Sequence, residues 1–138
     1  MPRPIHCILL IDDDPDDNYL HQLVIEESGL CDAVRSAETG LQALTYLTET
    51  HDSNYVRPDV ILLDINMPGM NGFEFLERYC QLDEVLRSRL VLLMLTTSLN
   101  PVDKNRAGQF EDVKGYLTKP VTKEMLQEII DQYFPASV

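Results

Sequence analysis

Five short strand-like segments, three of them apolar runs, alternate along this chain with stretches whose apolar residues recur at helical spacing. Residues 7–11 (CILLI) break off abruptly in acid, as suits a strand buried on both faces. Asp14-Pro15-Asp16-Asp17 then reads as a helix start: an Asp cap, Pro at the first helical position and two acids in the positive first turn. Leu20, Leu23 and Val24 are its expected buried stripe, and Gly29 its stop. A second strand is expected at 33–36. Thr39 and Gln42 have the spacing of a capping box, with Leu44 and Leu47 on one face of the helix that follows.

Residues 48–59 are polar and aperiodic, which predicts a surface loop. Residues 60–63 are a third buried strand with Asp64 at its end. Residues 67–69 form a turn, and Asn71 and Glu74 take cap and third position of a helix with Phe75, Leu76, Tyr79 and Cys80 on its apolar side. Residues 90–95 give a fourth strand ending in Thr96, Thr97 and Ser98. Asn100-Pro101 opens a fourth helix with a thin apolar pattern of Val102, Ala107 and Phe110. Residues 113–117 are the fifth strand, ending at Lys119-Pro120, and Thr122 caps a last helix with Leu126, Ile129, Ile130 and Phe134 on one face. Strand alternating with helix predicts an α/β fold, a parallel sheet between helices. At 138 residues the expectation is one domain with no separate output domain.

Charge narrows the partners. Lys and Arg number 11 against 23 Asp and Glu, a formal net charge of −12. Phosphate backbones and anionic lipid would repel such a chain, so neither nucleic acid nor membrane is an expected partner. No apolar run approaches the roughly 18 residues of a spanning helix, and the first residues do not resemble a secretory signal. Cys7, Cys31 and Cys80 are odd in number and widely spaced, which predicts reduced structural thiols in a cytoplasmic protein and, with His6, His21 and His51, no zinc site.

The chemistry gathers at the strand ends. Ligands of an open parallel sheet bind outside the carboxyl ends of its strands. Those ends carry Asp12 and Asp13, Asp64, Thr96 and Lys119. Three clustered carboxylates repel one another and any bare phosphate, and a divalent cation reverses that problem. Mg2+ takes one or two carboxylates and phosphate oxygens, so with Mg2+ or Mn2+ the edge could accept a phosphoryl group. Lys119 could pair with one phosphoryl oxygen and Thr96 donate to another. Asp64, ending the central strand, is the expected nucleophile. Asp14, Asp16 and Asp17 are expected to serve only as capping and dipole residues.

Residues 8–17 (ILLIDDDPDD), 59–72 (DVILLDINMPGMNG), 95–98 (LTTS) and 114–120 (KGYLTKP) closely resemble the receiver domains of two-component response regulators, single-domain chemotaxis regulators among them. The resemblance runs from about residue 6 to 134. It implies a flavodoxin-like fold with strand order 2-1-3-4-5 and Asp64 as phosphoacceptor. It further implies Asp13 and Asp64 as direct Mg2+ ligands, Asp12 acting mainly through water, and the main-chain carbonyl of Asn66 as a third protein ligand. Thr96 matches the switch hydroxyl, Lys119 the phosphate-pairing lysine and Tyr116 the switch aromatic, with the Lys119-Pro120 bond usually cis. A sensor histidine kinase or phosphotransfer protein would supply the phosphoryl group, and the receiver would catalyse only that transfer and its own hydrolysis. A downstream protein would read the surface of helix 4, strand 5 and helix 5, through which family members also dimerise. Thr97 stands where many members have Ala, and Asn66 and Ser98 where the family varies its dephosphorylation rate.

Three other readings compete. A phosphohydrolase with an aspartate nucleophile commonly carries a second acid two residues on, where this chain has Asn66, and needs a cap domain. A flavodoxin-like electron carrier wants a phosphate-cradling loop where this chain has Asp12-Asp13-Asp14. An unphosphorylated binding module would usually have lost one of the five site residues, and all five are present.

Overall fold

In the computed structural model, which describes residues 3–65, 67, 69–88, 91–96 and 101–134, β1 (Ile5–Ile11) is buried at every position but one and β3 (Val60–Asp64) at all of them. Together with β2 (Cys31–Ala37), β4 (Val91–Thr96) and β5 (Val113–Thr118) they form one parallel sheet in the order β2-β1-β3-β4-β5. Burial on both faces is what makes the three inner strands, β1, β3 and β4, nearly continuous apolar runs rather than alternating ones. Leu9, Ile11, Ile61, Leu63, Leu92 and Met94 point to the face covered by α2 (Gly40–Thr48), α3 (Gly72–Tyr79) and α4 (Pro101–Ala107). Ile8, Leu10, Val60, Leu62, Leu93 and Leu95 point to the face covered by α1 (Pro15–Ser28) and α5 (Lys123–Tyr133). β1 and β2 each begin two residues before the predicted start, because Ile5 pairs with Cys31. Residue 90, the predicted start of the fourth strand, lies outside the described residues, as do Asn66, Thr97, Ser98 and Asn100.

Caps place the helices over the sheet. Asp14 accepts from the Asp16 amide at 2.9 Å, and Gly29 closes α1 in the left-handed conformation that glycine adopts without strain. Asn71 and Glu74 complete a reciprocal capping box on α3, and Thr122 caps α5. On α2 the Thr39 hydroxyl accepts from Gln42 as expected, but the Gln42 side chain reaches back to the amide of Glu38 at 2.8 Å. α4 buries only Ala107 and leaves Val102 71% exposed.

The expected stripe of α1 is wrong. Leu20 and Leu23 face outward with Tyr19, Val24 is half-buried, and the buried residues are Asn18, His21 and Ile25. The helix is rotated by a polar anchor, the Asn18 side-chain amide donating to the Asp12 carbonyl at 2.9 Å. Residue 20 lies about 200° around the helix from residue 18, so fixing Asn18 inward turns Leu20 to solvent.

The loop before β3 is surface-exposed over its first half but ends in buried Asp59, whose carboxylate accepts from the His6 amide at 2.7 Å. The Tyr46 hydroxyl donates to the Val56 carbonyl and accepts from its amide, at 2.6 and 2.8 Å, which ties the loop to α2.

The start of α3 lies hard against the end of β3. A Cβ on Gly72 would stand 2.7 Å from the Asp64 carbonyl oxygen and 3.0 Å from Ile65 Cα, both backbone atoms. Gly72→Ala should therefore lower stability by about 1–3 kcal/mol, the usual cost of overpacking. Urea denaturation checks it; an unchanged midpoint would mean that α3 has room to move away from the strand.

Candidate functional site at the carboxyl edge of the sheet

Each functional side chain is delivered by the end of a strand. Asp12 follows β1 and is nearly fully buried: its amide donates to the Ala37 carbonyl at 3.0 Å and its Oδ1 accepts from the Asp14 amide at 3.0 Å. Asp64 is the last residue of β3 and also buried. Thr96 is the buried last residue of β4, one beyond Leu95, the register partner of Asp64. The Thr96 carbonyl accepts from the Lys119 amide at 2.7 Å, so the chain after β5 is held beside the end of β4. The Lys119-Pro120 bond is cis, as the resemblance implied.

These anchors bring the side chains together. Asp12, Asp13 and Asp64 each offer a carboxylate oxygen, and the three lie within 4.8 Å of one another. Lys119 Nζ stands 2.6 Å from Asp12 Oδ2, 3.0 Å from Asp17 Oδ2 and 3.7 Å from Asp64 Oδ1. Burial alone would push the Lys119 ammonium down, but its bonds to Asp12 and Asp17 and the charges of Asp64 and Asp12 outweigh that and raise its pKa. It is a permanent cation among acids. One ammonium leaves the three-carboxylate cluster with excess negative charge, and hard oxygen donors at this spacing are the set that Mg2+ or Mn2+ prefers. The residues present fit such an ion.

Tyr116 sits apart. It lies on β5, and its hydroxyl donates to the Lys104 carbonyl of α4 at 2.7 Å. α4 is held to α3 by the Arg106 guanidinium, 4.3 Å from the centre of the Phe73 ring. The Asn66 carbonyl, Thr97 and Ser98 fall outside the described residues.

Asp17 is the residue that sequence reasoning missed. It is more than a dipole residue, because its carboxylate accepts from Lys119 across 102 positions of sequence. A faint signal exists: Asp13, Asp17 and His21 recur every four residues, and buried His21 shows which side of α1 faces the site. Burial, the largest influence on His21, lowers its pKa.

Residues 8–131 match the family described as the response regulator receiver domain. The chain belongs to that family. It is 32% identical to protein PilH of Pseudomonas aeruginosa over 90% of this chain and 93% of that one. It is 28% identical to sporulation initiation phosphotransferase F of Bacillus subtilis, over 93% of each chain. The crystal structure of a two-component response regulator from Cytophaga hutchinsonii superposes with a TM-score of 0.82 at 31% identity, covering 94% of this receiver and 97% of that chain. The five-stranded parallel sheet in the order 2-1-3-4-5 is thus a flavodoxin-like receiver fold.

Receiver domains are phosphoacceptor regulators of two-component phosphorelay signalling. They generally use Mg2+ bound by acidic residues, and they interact with histidine kinases or phosphotransfer proteins and with downstream targets. Among the described residues of this receiver no helix is long and apolar enough to cross a membrane, and the acidic trio is the only potential metal-binding group of His, Cys, Asp and Glu found.

Proposed function

We propose that this receiver takes a phosphoryl group onto Asp64 from phosphohistidine of a sensor kinase or phosphotransfer protein, in a Mg2+-dependent reaction. The observation that carries the reading is Lys119 Nζ lying within 3.7 Å of both Asp64 and Asp12 while their oxygens cluster with that of Asp13. An Asp64 carboxylate oxygen attacks phosphorus, the new O–P bond forms, and the P–N bond breaks with its electron pair returning to the imidazole. Asp13 and Asp64 would hold the ion directly, Asp12 through water, and the resemblance implies that the Asn66 carbonyl would complete the protein ligands. The ion supplies positive charge that offsets repulsion between the acids and the phosphoryl oxygens. Lys119 pairs with one phosphoryl oxygen, and the Thr96 hydroxyl donates to another. Water later hydrolyses the acyl phosphate and restores the carboxylate, so the receiver's catalysis is confined to its own phosphorylation and dephosphorylation.

The output is a change of surface. The movement of Thr96 toward the phosphoryl group opens room for the Tyr116 ring. Turning that ring inward breaks its bond to the Lys104 carbonyl, and with it one tie between β5 and α4. The surface of α4, β5 and α5 is then read by a downstream protein in the cytoplasm, or by a second copy of the chain.

Beryllium fluoride, which mimics the phosphoryl group, tests both halves. Nuclear magnetic resonance of the wild type should show an adduct only with Mg2+ present, accompanied by movement of the Tyr116 ring resonances. Thr96→Ala should form the adduct with Tyr116 unmoved. An adduct without metal contradicts the site; Tyr116 moving equally in the variant contradicts the role given to Thr96.

A further inference from the structure

Lys119 has three acidic partners, and they are not equivalent. Asp12 and Asp64 belong to the cluster that a metal would occupy, whereas Asp17 does not. Asp17 stands in the first turn of α1, and that turn is fixed twice: by the Asp14 cap and by the Asn18 side chain bonded to the Asp12 carbonyl. Its carboxylate is therefore held at a set position beside the end of β1. The ion pair is sheltered, with the Lys119 side chain 12% and the Asp17 side chain 34% exposed.

We propose that Asp17 is a positioning residue that competes with the phosphoryl group for Lys119 and so sets how fast Asp64 is phosphorylated. The inference rests on the reading of Asp64 given above. An ammonium has three N–H donors to distribute. A cation bound by the acidic trio offsets the charge of Asp12 and Asp64 and weakens their hold on Lys119. The charge of Asp17, outside the trio, is not offset in this way, and Asp17 becomes the ammonium's main partner. Nζ already stands 0.7 Å nearer to Asp17 than to Asp64, at 3.0 against 3.7 Å. To meet a phosphoryl oxygen on Asp64, Lys119 must loosen from Asp17. The same carboxylate adds negative charge beside the route of an anionic phosphoryl donor. Both effects slow uptake, and both disappear when the charge of Asp17 is removed.

The test compares wild type with Asp17→Asn, which keeps the shape and removes the charge, and Asp17→Glu, which restores the charge. Initial rates of uptake from acetyl phosphate are read at saturating Mg2+ by intact-protein mass, with acetate leaving on the electron pair of the broken O–P bond. Side-chain resonances of Lys119 are recorded on the same Mg2+-loaded proteins. Asp17→Asn should take up phosphoryl at least about threefold faster, with the Lys119 resonances shifted, and Asp17→Glu should stay near wild type on both measures. A purely structural role for Asp17 would change stability and leave the uptake rate and Lys119 unmoved. Uptake by Asp17→Asn equal to or slower than wild type overturns the competition alone, since the wild-type uptake still supports Asp64. No uptake by any of the three overturns the reading of Asp64 and this inference with it.

Discussion

Lys119→Met is expected to lower the stability of the metal-free protein by about 3–5 kcal/mol, the range seen when a buried charge loses its partner. The Met side chain replaces the apolar stem of Lys but removes the ammonium that buried Asp12 and Asp64 and the partly buried Asp17 share. Added Mg2+ should recover much of the loss, because the ion supplies charge to the same acids. Denaturation in the presence of a chelator and then of Mg2+ measures both effects. A variant as stable as wild type without metal would mean that the ammonium is not what balances the cluster.

The pH dependence of this variant has a definite sign. The pKa of Lys119 is raised in the folded protein above its ordinary 10.5. The stability that the ammonium contributes is therefore present in full below about pH 10.5, and it is lost as pH rises through the raised folded value. The gap between wild type and Lys119→Met should be constant near neutrality and narrow above pH 10.5. A gap that narrows below pH 9 would place the coupling on another group.

Asp64→Asn is expected to act in the opposite direction on the metal-free protein. It removes one of the crowded acids while keeping the side-chain shape and one acceptor oxygen. Relief of like-charge repulsion should raise stability by about 1–2 kcal/mol. Metal binding should weaken by at least about tenfold if Asp64 is the direct ligand proposed above, since even outer partners matter by 10–100-fold. A Mg2+ titration followed by the fluorescence of the six tyrosines, with no tryptophan to obscure them, checks the second expectation. Unchanged affinity would remove Asp64 from the metal site.

Most of the fold was legible because its signals are local. A strand buried on both faces must be an unbroken apolar run, and a capped helix announces itself in a few residues, as Asn71 and Glu74 do. The placement of Asp12, Asp64, Thr96 and Lys119 at one sheet edge was legible for a related reason: topology carries strand ends there. What escaped depends on tertiary contacts. The buried side of α1 is partly polar, and nothing local says that Asn18 will be anchored by the Asp12 carbonyl or that Leu20 will be left outside. The burial of loop residue Asp59 has no local sign, because its partner, the His6 amide, lies 53 residues away. Asp17 reads as a dipole residue because a first-turn acid needs no further partner, and its partner is 102 residues distant.

The central claim is that Asp64 accepts the phosphoryl group, and intact-protein mass after incubation with acetyl phosphate tests it most directly. Wild type should gain the mass of one phosphoryl group with Mg2+ present and none with a chelator, while Asp64→Asn gains none under either condition. A gain on Asp64→Asn equal to that of wild type, or a wild type that gains nothing with Mg2+ present, would contradict the account.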